Sequence, residues 1–341
     1  SAMKAFVMTM RAAWQLLRPR TLVVIYLHFM LFAGFAGIEL TEWRYILLSF
    51  AAIALWYMHA VAVNDLSDEA VDAINLPKVG QTSDRPLLNA TVSRRQLWTG
   101  VMAITVLLVA VCFMIRPQLA LVALAMVGLN CIYSLRPVRL SGRGVLAQAA
   151  LPLGYVAFPA SIVMVQVQVA GLSWWMLLTG VYMLFMGRLF LKDIRDEKGD
   201  ALEGKRTYLV RHGLVRTLTQ SACWMLTGSA MMVYGSAAVH WIYGVAWILS
   251  ATMIVRGLRG IYRSRSLDVR LLYVAVTGRA GSYWLFCAVI AAWLPAAYGM
   301  AAHFFAVVMA TALFGFGFLQ LFDEITLTQV RQAAKRRQPE L

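Results

Sequence analysis

Ten apolar runs, each near the length that crosses a lipid bilayer, leave this chain almost no room for a soluble fold. They lie near 21–40, 44–63, 95–115, 118–134, 145–168, 173–192, 214–237, 238–257, 281–298 and 300–322. A spanning helix needs roughly 20 predominantly apolar residues. With 61% hydrophobic residues, the chain has too little polar surface to clothe so many helices in water. The expected fold is all-α, a polytopic membrane helix bundle of nine to ten transmembrane helices around a central cavity. Both termini are cytoplasmic if the count is ten. Runs seven and eight abut near Gly235 and runs nine and ten near Gly299, so each pair reads as a tight hairpin. One short re-entrant run would lower the count to nine. Residues 1–20 read as a tag remnant (Ser1-Ala2 before Met3) and a cytoplasmic segment, 21–327 as the membrane domain, and 328–341 as a basic cytoplasmic tail.

A net charge of +15 invites a nucleic-acid reading, but the distribution of that charge opposes it. With the N-terminus in the cytoplasm, 29 of the 31 Lys and Arg residues fall to cytoplasmic segments, leaving Arg44 and Arg116 outside. Such asymmetry follows the positive-inside rule, and anionic lipid rather than nucleic acid is the expected partner of these cations. The four cysteines sit singly in apolar runs, without the paired spacing of a zinc or redox site, and read as small core residues.

Acidic residues are scarcer and more concentrated. Of the 16, five lie between Asp65 and Asp84 and five between Asp193 and Glu203. Each cluster follows an even-numbered run, so both emerge on the cytoplasmic side. On a continuing helix, Asn64, Asp68 and Asp72 recur at i, i+4 and i+8, and Asp193, Asp196 and Asp200 at i, i+3 and i+7. Each set therefore lines one face. Either cluster alone could be a solvated helix end. Two opposed faces of hard oxygens would repel one another unless divalent cations and a polyphosphate lay between them. Intramembrane carboxylates also mark transporters, but these lie near helix ends rather than mid-span.

Asn64–Asp72 has the form NDxxDxxxD and Asp196–Asp200 the form DxxxD. Around them stand Arg18-Pro19-Arg20-Thr21, Arg85-Pro86-Leu87, Tyr133-Ser134-Leu135-Arg136-Pro137-Val138-Arg139-Leu140, and Gly199-Asp200 through Gly204-Lys205-Arg206-Thr207. In this order, over most of its length, the chain resembles the UbiA superfamily of intramembrane prenyltransferases.

The resemblance implies an enzyme that ionises an isoprenyl diphosphate and transfers the prenyl group to an acceptor. An aromatic ring is the commonest acceptor. Sugar-phosphate or glycerol-phosphate acceptors and acceptor-free cyclisation are the alternatives. It implies two Mg²⁺ ions held by Asn64, Asp65, Asp68, Asp72, Asp193, Asp196 and Asp200. Asp68, Asp72, Asp196 and Asp200 would be central to catalysis. Lys78, Arg85, Tyr133, Arg139 and Lys205 would contact the diphosphate, and Arg18 would lie towards the acceptor. A catalytically silent lipid-binding member is disfavoured because the carboxylates are present. The chain departs from the family's RPLPSG, having Arg85-Pro86-Leu87-Leu88-Asn89-Ala90, and has Tyr208-Leu209-Val210 where LP is usual. His28 and His59 read as hydrogen-bonded structural residues, and Trp56, Tyr57, Tyr182 and Phe185 as packing near the acidic ends.

Overall fold

The computed structural model describes residues 2–79, 85–202, 204–235, 241–294 and 299–324, and side chains among these except at 2–8, 74–79 and 320–324. The described residues form twelve α-helices and no sheet. They are α1 (Ala2–Leu17), α2 (Pro19–Phe35), α3 (Trp43–Val79), α4 (Arg94–Ile115), α5 (Pro117–Ser134), α6 (Val145–Pro152), α7 (Phe158–Val167), α8 (Leu172–Leu202), α9 (Tyr208–Gly235), α10 (Trp241–Arg263), α11 (Leu267–Trp293) and α12 (Gly299–Glu324).

Eight stretches among the described residues are long and apolar enough to span a bilayer; α6 and α7 count together as one. The bent pair α1–α2 makes a ninth if it is a single span. The protein is thus an all-α polytopic membrane protein with eight to nine candidate spans, against an expected nine to ten. The shortfall traces to α9, which has 28 residues but carries Arg211, His212, Arg216 and Gln220 in its first half.

The chain divides into two compact units. The first comprises Ser1–Val169 with Asp196–Arg211, and the second Ala170–Arg195 with His212–Leu341. In the first, α3 packs on α1, α4 and α5, and α2 packs on α7. Between α6 and α7 the chain makes one π-helical turn, Leu153–Ala157. Pro152 and Pro159 bracket it, and each lacks the N–H that would continue an α-helical ladder. Within that turn, Gly154 lies so close to the Trp56 ring that a Cβ would stand 1.9 Å from Cζ2. Tyr155 meets the Trp56 and Tyr57 rings edge-on at 5.3 and 5.8 Å.

In the second unit, α10, α11 and α12 pack together. A Cβ at Gly228 of α9 would fall 2.3 Å from the Leu184 amide nitrogen of α8, so the two backbones touch where a side chain would part them. Ser221 adds a hydrogen bond from its hydroxyl to the Gly187 carbonyl, 2.8 Å. All four cysteines are free; Cys112 and Cys287 are buried, but Cys223 is exposed and so is not a core residue.

Candidate functional site

Helix α3 continues unbroken through the first acidic cluster and brings Asp65, Asp68 and Asp72 to its buried side, at 2%, 8% and 6% exposure. Asn64 beside them is half-buried. Three carboxylates below the protein surface demand compensation, because an isolated buried charge costs several kcal/mol. Four cations from separated parts of the first unit supply it.

Arg18 precedes Pro19, which disfavours a helical conformation for the residue before it. Its φ is +38° and the chain bends there by 55° between α1 and α2. The bend aims the guanidinium at Asp65, 2.7 Å from Oδ1. Arg85 donates from Nε to Asp72 Oδ2 at 2.6 Å and stands 3.7 Å from Asp65. Arg139, at φ +42° in the loop after α5, reaches Asp68 Oδ1 at 2.8 Å. Lys205, after α8, reaches the other oxygen of Asp68, also at 2.8 Å, and lies 3.5 Å from Asp200.

Two distant loops thus converge on one carboxylate. Their register is set by backbone contacts: the Arg206 N–H donates to the Gly142 carbonyl at 3.2 Å, and Arg143 and Arg206 form an isolated parallel bridge. The Lys205 N–H returns to the Asp200 carbonyl at 2.8 Å, closing the turn after α8. Ser67 donates to the Ser134 carbonyl and ties α3 to the end of α5.

The structure therefore gathers Asp65, Asp68, Asp72, Asp200, Arg18, Arg85, Arg139 and Lys205. Asp72 also stands close enough to Asp68 and Asp196 to feel both as like charges. Asp193 belongs to the second unit and accepts a 2.7 Å hydrogen bond from Lys192. Tyr133 is buried and packs against Ala147 and Ala150. The side chain of Lys78 lies outside the described residues. Sequence reasoning missed the sharing of Asp68 by Arg139 and Lys205, the seat of Arg18 on Asp65, and the Gly142–Arg206 tie. Only the αL loop conformation and the tertiary pairing reveal these. Trp56 and Tyr57 are buried against Tyr155, and both histidines are hydrogen-bonded. His28 Nδ1 is 2.7 Å from the Tyr155 carbonyl, and His59 Nδ1 is 3.0 Å from Asn130 Nδ2.

No group of three or more His, Cys, Asp or Glu side chains among the described residues is already assembled to hold a metal. The donor set still suits magnesium. Mg²⁺ keeps several waters and binds through one or two carboxylates together with substrate phosphates, so it needs no protein cage. Asp65 Oδ2 and Arg139 Nε are buried without a hydrogen-bond partner, an open acceptor and an open donor within the same network.

The UbiA prenyltransferase family model matches residues 22–271, well over half of the chain. A comparison with curated proteins found no significant match. Among solved structures, the fold resembles a digeranylgeranylglyceryl phosphate synthase, with 13% identity over 83% of this chain and 98% of the other, at a TM-score of 0.59. It also resembles a UbiA homolog from Archaeoglobus fulgidus bound to GPP and Mg²⁺, with 19% identity, 87% and 99% coverage, and a TM-score of 0.57. A UbiA homolog from Aeropyrum pernix K1 aligns at 18% identity, with 75% and 96% coverage and a TM-score of 0.55. The motif order, the buried carboxylate helix and the matched residues agree: this chain is an enzyme of the UbiA prenyltransferase family.

Proposed function

We propose that the protein transfers the prenyl group of an isoprenyl diphosphate to a small-molecule acceptor in a Mg²⁺-dependent reaction, and that the acceptor is an aromatic ring. The observation that carries the reading is the convergence of Arg139 and Lys205 on Asp68, with Arg85 beside it on Asp72. In these ion pairs Asp65, Asp68, Asp72 and Asp200 meet Arg18, Arg85, Arg139 and Lys205, so four carboxylates balance four cations. A magnesium diphosphate entering this network finds a ready exchange. The carboxylates would hold the metal and the guanidinium and ammonium groups the phosphate oxygens, so that each charge would keep an opposite partner.

Asp68, Asp72, Asp196 and Asp200, with Asn64, Asp65 and Asp193 as neighbours, are the residues proposed to hold two Mg²⁺ ions. Bound magnesium would supply Lewis-acid stabilisation of charge on the departing diphosphate. Arg85, Arg139 and Lys205, with Lys78 and Tyr133 as further candidates, would bind the phosphate oxygens. As the allylic C–O bond breaks, its electron pair passes to the diphosphate, and these donors face the oxygens on which that charge grows. The allylic cation is then captured by the acceptor, whose ring loses a proton. Arg18, held by Asp65, is assigned to the acceptor end. A cytoplasmic position for this site is supported by the basic residues of the segments around it.

The test is an assay pairing isoprenyl diphosphates of different chain length with aromatic, glycerol-phosphate and sugar-phosphate acceptors, read by mass spectrometry. Prenylated aromatic product that vanishes with EDTA and returns with Mg²⁺ is expected. Product only with a phosphate-bearing acceptor would reassign the acceptor, and product without acceptor would identify a cyclase. EDTA-insensitive turnover would remove the metal from the reading.

A further inference from the structure

The first unit holds a cavity at the end remote from its carboxylate network. Helix α4 starts at Arg94, whose guanidinium pairs with Glu69 of α3 at 3.0 Å. Its 22 residues carry the chain roughly 33 Å away from that end. Helix α5 makes the return, since Ser134 at its close is tied to Ser67 of α3. The turn between them, at Arg116 and Pro117, therefore lies at the opposite ends of two candidate spans. There it meets the end of α7, and a cavity of about 500 Å³ opens among Arg116, Gln118, Val165, Gln166, Val167 and Gln168.

The lining carries one cation, three primary amides and no carboxylate. Arg116 donates from Nε to Gln166 Oε1 at 3.3 Å, which holds the guanidinium at the cavity and leaves its two Nη groups to turn to a ligand. It is one of only two cations that the charge distribution leaves outside. Gln168 closes α7 with φ +50° and ψ +44°, a conformation that favours glycine and costs another residue about 1 kcal/mol. The backbone thus gives no reason for a glutamine there. Beside the cavity, α4 and α5 present Phe113, Met114 and Leu121 at 59%, 68% and 72% exposure, faces that lie against acyl chains in a bilayer.

We propose that this cavity binds the headgroup of an anionic phospholipid, a phosphodiester that carries hydroxyl groups, as in phosphatidylglycerol. One guanidinium balances the single charge of a phosphodiester, and its fork matches two of the phosphate oxygens. Primary amides both donate and accept, so Gln118, Gln166 and Gln168 suit the headgroup hydroxyls as well as the phosphate. The apolar faces beside the cavity receive the acyl chains, which favours a lipid over a soluble phosphate. The bound lipid bridges the α4–α5 turn and the end of α7. The site does not depend on the prenyl-transfer reading, and its test does not use activity.

The experiment is amide hydrogen exchange of the full-length protein in nanodiscs of phosphatidylcholine, with and without phosphatidylglycerol. Mass spectrometry follows peptides covering 115–121 and 164–168. Exchange there is expected to slow about threefold or more when phosphatidylglycerol is present. Arg116→Gln is expected to abolish the slowing, while Arg44→Gln, which removes the other outer cation, keeps it. Gln168→Gly separates binding from structure, and it serves alone should Arg116→Gln fail to fold. It is expected to keep or raise the Tm, because backbone strain is relieved, yet to lose much of the slowing. A merely structural glutamine would leave the slowing unchanged in that variant. The proposal is overturned if both lipid compositions give the same exchange, or if either cavity variant that folds is protected as the wild type is. It is equally overturned if Arg44→Gln loses the slowing too, or if glycerol phosphate added to phosphatidylcholine nanodiscs slows exchange as much as phosphatidylglycerol does.

Discussion

In the first unit, the three buried carboxylates of α3 are each met by a guanidinium or ammonium group at 2.6–2.8 Å. In the second unit, Arg188 is met by a hydroxyl, and the neighbouring charge has its own sign. The first unit holds charge as a balanced network; the second is organised by close backbone approach, as at Gly228 against Leu184, and its Arg188 donates to a hydroxyl, with no carboxylate among the described residues as its partner. The difference teaches that buried ionic groups serve different ends. A compensated set can exchange partners when a charged ligand arrives, whereas close backbone packing holds helices in one arrangement.

That contrast can be broken most sharply at Asp68. Asp68→Asn leaves Arg139 and Lys205 facing a neutral amide, making the first unit resemble the second. Turnover is expected to fall by about 10³-fold or more, with the protein still folded in detergent. Wild-type turnover in this variant would dismiss the carboxylate assignment, and loss of folding would make the network structural first. Arg139→Ala removes one cation from the balance. The apparent affinity for prenyl diphosphate is expected to weaken roughly 10- to 100-fold, with acceptor affinity changing less, in line with the loss of one charge-assisted contact. The reverse ordering in titrations of each substrate would move Arg139 to the acceptor pocket.

Gly228→Ala probes the other unit, where packing rather than charge governs. Forcing α8 and α9 apart is expected to lower stability by roughly 1–3 kcal/mol, seen as a lower Tm in detergent. An unchanged Tm would show that the helices can separate freely there. The smallest effect is expected at Ala90, which adopts φ +51° at the end of the turn closed by the Thr91 N–H to the Pro86 carbonyl. Ala90→Gly should stabilise the loop that carries Arg85 by up to about 1 kcal/mol, since glycine accepts positive φ without strain. A loss of stability would mean that the loop relies on the alanine methyl group.

Ala90 also illustrates how sequence and structure divide the evidence. The departure from RPLPSG is visible in the sequence and suggests altered substrate contacts. The structure adds that the position of the missing glycine is a backbone position that favours glycine. Lys205 lay inside a recognisable motif, but its sharing of Asp68 with Arg139 could not be read, because 66 residues separate the two along the chain. In the sequence Arg188 counts only as one cation among many, and the tertiary structure alone shows its guanidinium on the Ser282 hydroxyl of α11. The extra polar residues at the start of α9 were equally visible, yet only the structure shows that Gly213, at φ +75° and ψ 174°, breaks the helical backbone among them.

By itself the sequence determined that this is a membrane-embedded helical enzyme with two carboxylate-bearing helix ends. A bilayer admits few ways of satisfying the backbone, and helical periodicity tells which side chains share a face. Which cation meets which carboxylate, and which arginine meets a hydroxyl instead, was decided by the tertiary structure alone. Such pairings join loops far apart in the chain, and they form only where packing brings opposite charges within hydrogen-bond reach.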